Sequence, residues 1–139
     1  MTRIGILGAS GRMGRAIAAA LQDSADARLG GRLSRGEDPN ALAGGCDVLV
    51  DFSAPEPLQR HLDAAVAAAT PILIGTTGLE AAHQEAIDRA ARKVAVLQAA
   101  NTSLGVNLLA HLVRQAAERL GEDWDIEIVE MHHRHKVDA

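Results

Sequence analysis

The chain has 139 residues, 47% apolar and 23% charged, with a formal net charge of −4. That length suits one domain burying roughly two thirds of its unfolded surface. One Trp, one Phe and no Tyr, on an acidic chain, argue against nucleic-acid partners, which need stacking platforms or a basic surface, and no apolar run approaches the ~18 residues of a membrane span.

Arg3 to Leu7 is a short apolar run closed by Gly8 and reads as a buried strand. Met13 to Leu21 has a helical pattern, and Ala27 to Leu33 is a weaker second strand followed by the loop Ser34 to Asn40. Asp47 to Phe52 is a third strand. Ser53 and Pro55 then suit the N-cap and first turn of a helix running towards Ala69. Pro71 to Ile74 is a fourth strand, Gly75 to Gly78 a turn, Glu80 to Arg92 a helix and Lys93 to Leu97 a fifth strand. Asn101-Thr102-Ser103 leads into a long amphipathic helix ending near Leu120-Gly121, and Asp125 to Glu130 reads as a sixth strand.

Strands alternating with helices predict an α/β fold: a Rossmann-like, doubly wound parallel sheet with helices on both faces. Its polar loops all follow strands at their carboxyl ends, the edge of an open parallel sheet where ligands bind. The single Cys46 allows no intrachain disulfide and fits a small buried hydrophobe in a reducing compartment. Ile4 to Leu7 is too short for the apolar core of a signal peptide, so a cytoplasmic location is expected.

Gly8-Ala9-Ser10-Gly11-Arg12-Met13-Gly14 lies between the first strand and the first helix. Glycines there permit a tight turn and let backbone N–H groups approach a pyrophosphate at the helix amino end. The spacing is G-x-x-G-x-x-G, not the usual G-x-G-x-x-G, so a glycine-rich turn without a ligand is the competing reading. An acid at the end of the second strand would favour NAD by accepting from the ribose 2′-hydroxyl. Ser34 stands there, between Arg32 and Arg35, with Glu37 and Asp38 further into the loop, from where a shifted register could bring one back. A guanidinium without that acid suits a 2′-phosphate, so NADPH is the expected cofactor and NADH the second.

Glu130-Met131-His132-His133-Arg134-His135-Lys136 concentrates titratable groups. On a strand, 132 and 134 face one way while 133 and 135 face the other. Only two histidines could then converge, and Arg134 and Lys136 would set cations beside any metal, so no metal is expected. Proton transfer and anion binding around an anionic substrate fit better; a solvated basic strand end is the plain alternative.

The stretch Glu130 to Ala139 resembles the signature of the dihydrodipicolinate reductase family. Gly8 to Gly14, Asp51-Phe52-Ser53, Gly75-Thr76-Thr77-Gly78 and Ala99-Ala100-Asn101 through Gly105-Val106-Asn107 resemble it too, in order and at fitting intervals. The resemblance implies reduction of an unsaturated cyclic dicarboxylate by NAD(P)H in lysine and diaminopimelate biosynthesis. It implies cofactor contacts from Gly8, Ala9, Ser10, Gly11, Arg12, Met13, Gly75, Thr76, Thr77, Ala99, Ala100, Asn101 and Thr102, with Arg35 near the 2′-phosphate. His132 and Lys136 would be catalytic, as proton donor/acceptor and as proton donor to the ring, and His133 would touch the substrate. Family members continue beyond this motif into a substrate domain and form a homotetramer. The expectation is therefore a dinucleotide domain over residues 1–125, the start of a truncated substrate domain over 126–139, and weak or absent turnover by this polypeptide alone. A non-catalytic dinucleotide-binding module is the alternative reading.

Overall fold

A computed structural model describes residues 1–131 and residue 134. Two compact units divide it, Met1–Ala100 and a second beginning at Asn101. The first unit contains β1 (Thr2–Leu7), α1 (Arg12–Ala20), β2 (Ala27–Leu33), α2 (Pro39–Ala43), β3 (Val48–Asp51), α3 (Leu58–Ala67), β4 (Ile72–Ile74), α4 (Ala81–Ala91) and β5 (Val96–Gln98). A single 3₁₀ turn, Leu21–Asp23, follows α1.

The five strands form one parallel sheet in the order β2-β1-β3-β4-β5. The chain thus moves outward in one direction from β1 to β2, then returns past β1 to build β3, β4 and β5. Right-handed crossovers in opposite directions place their helices on opposite faces, so α1 lies on one face and α2, α3 and α4 on the other. The expected doubly wound parallel architecture is the observed one.

Alternation along the strands divides the core. Leu7, Leu49, Ile72 and Ile74 pack with Leu42 and Ala43 of α2, Leu58, Leu62 and Ala65 of α3, and Ala86, Ile87 and Ala90 of α4. Ile6 points to the other face and is fully buried. This aliphatic layer fixes the strand register, because a one-residue slip would turn every buried side chain to the wrong face. A bulge between Ile4 and Gly5 leaves Gly30 as the extra residue of β2.

Several boundaries differ from those read in the sequence. The loop after β2 stops at Asp38, whose carboxylate accepts from Asn40 N–H at 3.0 Å and caps α2, with Pro39 at its start. Helix α3 begins at Leu58 and not at Ser53: the Ser53 N–H donates to the Asp51 carboxylate at 3.0 Å. Pro55 and Pro57 bias the residues before them away from helical angles. Lys93 and Val94 donate to the Ala90 carbonyl at 2.8 and 3.0 Å, completing α4, so β5 starts only at Val96.

In the second unit Ser103 caps α5 (Leu104–Leu120), accepting from Val106 N–H at 3.4 Å, and Gly121 ends it with φ 75°. No residue of α5 is buried. Residues 125–130 form no strand, contrary to the sequence pattern, because no strand among the described residues pairs with them. Alternation supplies an apolar face, but a strand also needs a neighbour's ladder; Ile128 and Val129 stay 78% and 86% exposed.

Candidate functional site

The loops after β1, β2 and β3 enclose a cavity of about 710 Å³ at the carboxyl edge of the sheet. Strand order reverses at β1, and ligands of open parallel sheets bind where the helices diverge at such a point. Gly8, Ser10 and Gly11 form one wall, Leu33 through Glu37 a second, and Phe52 through Ala54 with Glu56, Pro57, Arg60 and His61 a third.

Two glycines make the first wall possible. Gly8 has φ +80°, and a Cβ there would stand 2.7 Å from the Phe52 carbonyl oxygen. Gly14 lies in α1 against the same turn, where a Cβ would run into the Gly8 carbonyl oxygen and come 2.6 Å from Ala9 Cα. Gly8 and Ala9 N–H groups both donate to the Leu33 carbonyl, at 3.1 and 3.0 Å, fastening the turn to the end of β2.

Helix α1 has Gly11 as its N-cap and no side-chain cap. The first N–H groups of a helix lack intrahelical acceptors, and with the positive end of the helix dipole they attract an anion. An uncapped helix beside glycines that hold the backbone this close fits a pyrophosphate. Arg35 and Arg60 add cations to the cavity, Glu37 and Glu56 add anions, and Phe52 and Pro57 give it apolar surface.

Behind the third wall lies a polar network. His61 Nδ1 is 2.7 Å from Asp51 Oδ2, with Asp51 fully buried and His61 5% exposed. The other oxygen, Oδ1, accepts from the Ser53 hydroxyl, from Ser53 N–H and, at 3.3 Å, from the Thr76 hydroxyl. Gly75 N–H donates to the Asp51 carbonyl at 2.8 Å. A Cβ on Gly75 would collide with the Phe52 ring. One carboxylate thus binds the ends of β3, α3 and β4 together.

Of the residues expected at the cofactor, the structure brings Gly8, Ser10, Gly11 and Arg35 to the cavity, with Ala9 inside the same turn and Arg12 and Met13 opening α1. Gly75 and Thr76 stand against Phe52 and Asp51, Thr77 is exposed, and Ala99 N–H donates to the Ile74 carbonyl at 3.0 Å. Ala100 closes the first unit, and Asn101 and Thr102 belong to the second. There Asn101 Oδ1 accepts from Ser103 N–H at 2.8 Å, and its carbonyl accepts from the Asn107 side chain at 3.1 Å. His132, His133 and Lys136 lie outside the described residues.

Sequence reasoning did not single out Arg60 or His61 as cavity residues, and it brought Glu37 or Asp38 back to the strand end only on a shifted register. His61 carried a signal: it occupies the apolar stripe Leu58, His61, Leu62, Ala65, where an imidazole needs a buried partner.

The family model for the N-terminus of dihydrodipicolinate reductase matches residues 2–102, and the model for its C-terminus matches residues 105–139. The chain belongs to the dihydrodipicolinate reductase family. A 4-hydroxy-tetrahydrodipicolinate reductase of Zymomonas mobilis is 53% identical over 143 residues, covering 99% of this chain and 56% of the relative. One from Neisseria gonorrhoeae is 40% identical over 159 residues, covering 99% and 59%. The chain thus spans under two thirds of the length of these members of the dihydrodipicolinate reductase family. Among solved structures, a dipicolinate-bound dihydrodipicolinate reductase from a Paenisporosarcina species superposes with a TM-score of 0.69 at 17% identity, over 84% of this chain and 53% of that one. At that identity the match speaks for the fold. No helix among the described residues is long and apolar enough to cross a membrane.

Proposed function

We propose that this chain is the cofactor-binding half of an NAD(P)H-dependent reductase converting 4-hydroxy-tetrahydrodipicolinate to tetrahydrodipicolinate in lysine and diaminopimelate biosynthesis. One observation carries the reading: the uncapped start of α1 and the Gly8–Gly11 turn open on a cavity at the strand-order reversal. Its family membership supports the reaction class.

When bound, NAD(P)H supplies a hydride from its nicotinamide. The chain's own residues hold and protonate. Backbone N–H groups at the start of α1 would hold the pyrophosphate, with Ala9, Arg12 and Met13 completing that loop. Arg35 would face the 2′-phosphate, which makes NADPH the preferred form and NADH the second. Gly75 to Thr77 and Ala99 to Thr102 follow β4 and β5 and would serve the nicotinamide end. Residues 126–139 would open the substrate domain. The 4-hydroxyl must leave as water to give a conjugated imine; hydride addition to that imine builds negative charge on the ring, which the Lys136 ammonium would stabilise and then neutralise by giving up its proton. His132 would be the proton donor/acceptor and His133 a contact to the substrate, a small cyclic dicarboxylate. The complete protein would assemble as a homotetramer in the cytoplasm.

The test uses this chain extended to the full length of its relatives. Lys136→Ala and His132→Ala should each lower kcat by at least about 100-fold while leaving the Kd for NADPH within twofold. Turnover retained in both variants would refute the assignment.

A further inference from the structure

The end of β2 carries Ser34 where a dinucleotide fold that prefers NAD keeps an acid. The fold nevertheless returns an acid to that place. Gly36, at φ +90°, turns the chain back, and Glu37 Oε2 accepts from the Ser34 N–H at 2.6 Å while Glu37 N–H donates to the Ser34 carbonyl at 3.3 Å. Ser34 directly follows Leu33, whose carbonyl holds the Gly8 and Ala9 N–H groups. The Glu37 carboxylate is thereby tied to the same peptide group whose carbonyl anchors the glycine turn, and Ser34, Arg35 and Glu37 line the same cavity wall.

We infer that Glu37 is the residue by which this chain discriminates at the ribose 2′ position, and that the Ser34 N–H is a donor contested by two acceptors. The inference rests on the dinucleotide reading above and goes beyond it. With an unphosphorylated ribose, Glu37 keeps its bond to Ser34 and its remaining lone pairs accept from the 2′-hydroxyl. A 2′-phosphate cannot share that position with a carboxylate, because like charges at hydrogen-bond distance repel. Glu37 must then swing away. The phosphate takes over the vacated Ser34 N–H and pairs with Arg35, which carries the nearest cation in sequence. Arg60 and His61, with Glu56, face the same cavity from α3 and the turn before it. Arg60 also acts electrostatically on Asp38, and Glu37→Gln leaves all three side chains in place, so the change in the ratio reports on the Glu37 charge. This arrangement accommodates both dinucleotides, and removing the carboxylate charge should move the chain towards NADPH.

Calorimetric titration of this chain, its Glu37→Gln variant and its Arg35→Ala variant decides the matter. Each would be titrated with NADH, NADPH and the nicotinamide-free pair ADP-ribose and 2′-phospho-ADP-ribose. Glu37→Gln should move the ratio of the two Kd values at least about tenfold towards the phosphorylated ligand, the scale of one charge-assisted contact. Arg35→Ala should move it in the other direction. The same shifts in the nicotinamide-free pair would place the effect at the ribose. Parent binding with a ratio unchanged within twofold in Glu37→Gln overturns this inference alone. Failure of the parent to bind any of the four ligands overturns the dinucleotide reading and this inference with it.

Discussion

His61 Nδ1 sits 2.7 Å from Asp51 Oδ2, and both side chains are buried. A buried carboxylate is costly unless its lone pairs are filled, and here Ser53 and Thr76 fill those of the second oxygen. Asp51→Asn replaces an acceptor with a donor facing donors. It should lower unfolding stability by about 2–4 kcal/mol. His61→Leu removes one donor and leaves three, so its cost should be smaller, about 1–2 kcal/mol. Urea unfolding checks the order; equal stability of both variants and the parent would show that the network contributes nothing.

Gly14→Ala tests the close approach of α1 to the glycine turn. The added methyl meets backbone of Gly8 and Ala9, which cannot rotate aside. Stability should fall by about 1–3 kcal/mol, and NADPH affinity by at least about tenfold as the helix end moves off the turn. Gly44→Ala is the control. Nothing lies within 4 Å of a Cβ there and φ is −66°, so stability should hold or rise by up to about 1 kcal/mol.

Much of this was legible because local chemistry and burial agree. The Gly8 to Gly14 spacing follows a strand of apolar residues, and each parallel strand reads as a short run bounded by turn residues. Other features depend on contacts that a linear pattern does not contain. Ser53 looks like a helix cap until Asp51 claims its N–H and hydroxyl. Glu37 stands three residues past Ser34 in sequence, yet the Gly36 turn brings its carboxylate back to the strand end. Asp38-Pro39 carries a start signal for α2 inside a stretch whose Gly36, Pro39 and Asn40 have the composition of a loop. The pattern Asp125 to Glu130 has the alternation of a strand but no ladder to join among the described residues.

The Arg3–Asp47 pair gives a pH signature. Asp47 accepts from Arg3 Nη2 at 2.7 Å and from its backbone N–H at 2.7 Å. The side-chain hydrogen bond from Arg3, then the backbone one, holds its carboxyl down at about 2. A pKa lower in the folded than in the unfolded chain stabilises above the unfolded value, and that contribution is lost as pH falls through the folded one. The deficit of Asp47→Asn relative to the parent should therefore be present at pH 6 and shrink between pH 4 and 2. The pair is partly exposed, so salt should weaken it. A deficit constant across that window would assign the effect to geometry and not to charge.

Cys46 is 6% exposed, and burial pushes its thiol up from the usual range. Thiolate is the reactive form, so alkylation by iodoacetamide at pH 8 should run far slower in the native chain than in urea. Equal rates would show that the β2–β3 end of the core opens freely.

The turn after β1 should hold the pyrophosphate of a dinucleotide. Calorimetric titration of this chain with NADPH, repeated in the presence of a planar pyridine dicarboxylate, tests it most directly. One NADPH should bind per chain in both titrations, with Gly14→Ala weakening the binding. A chain with the circular dichroism of a folded α/β protein that binds no NADPH and no NADH would contradict it.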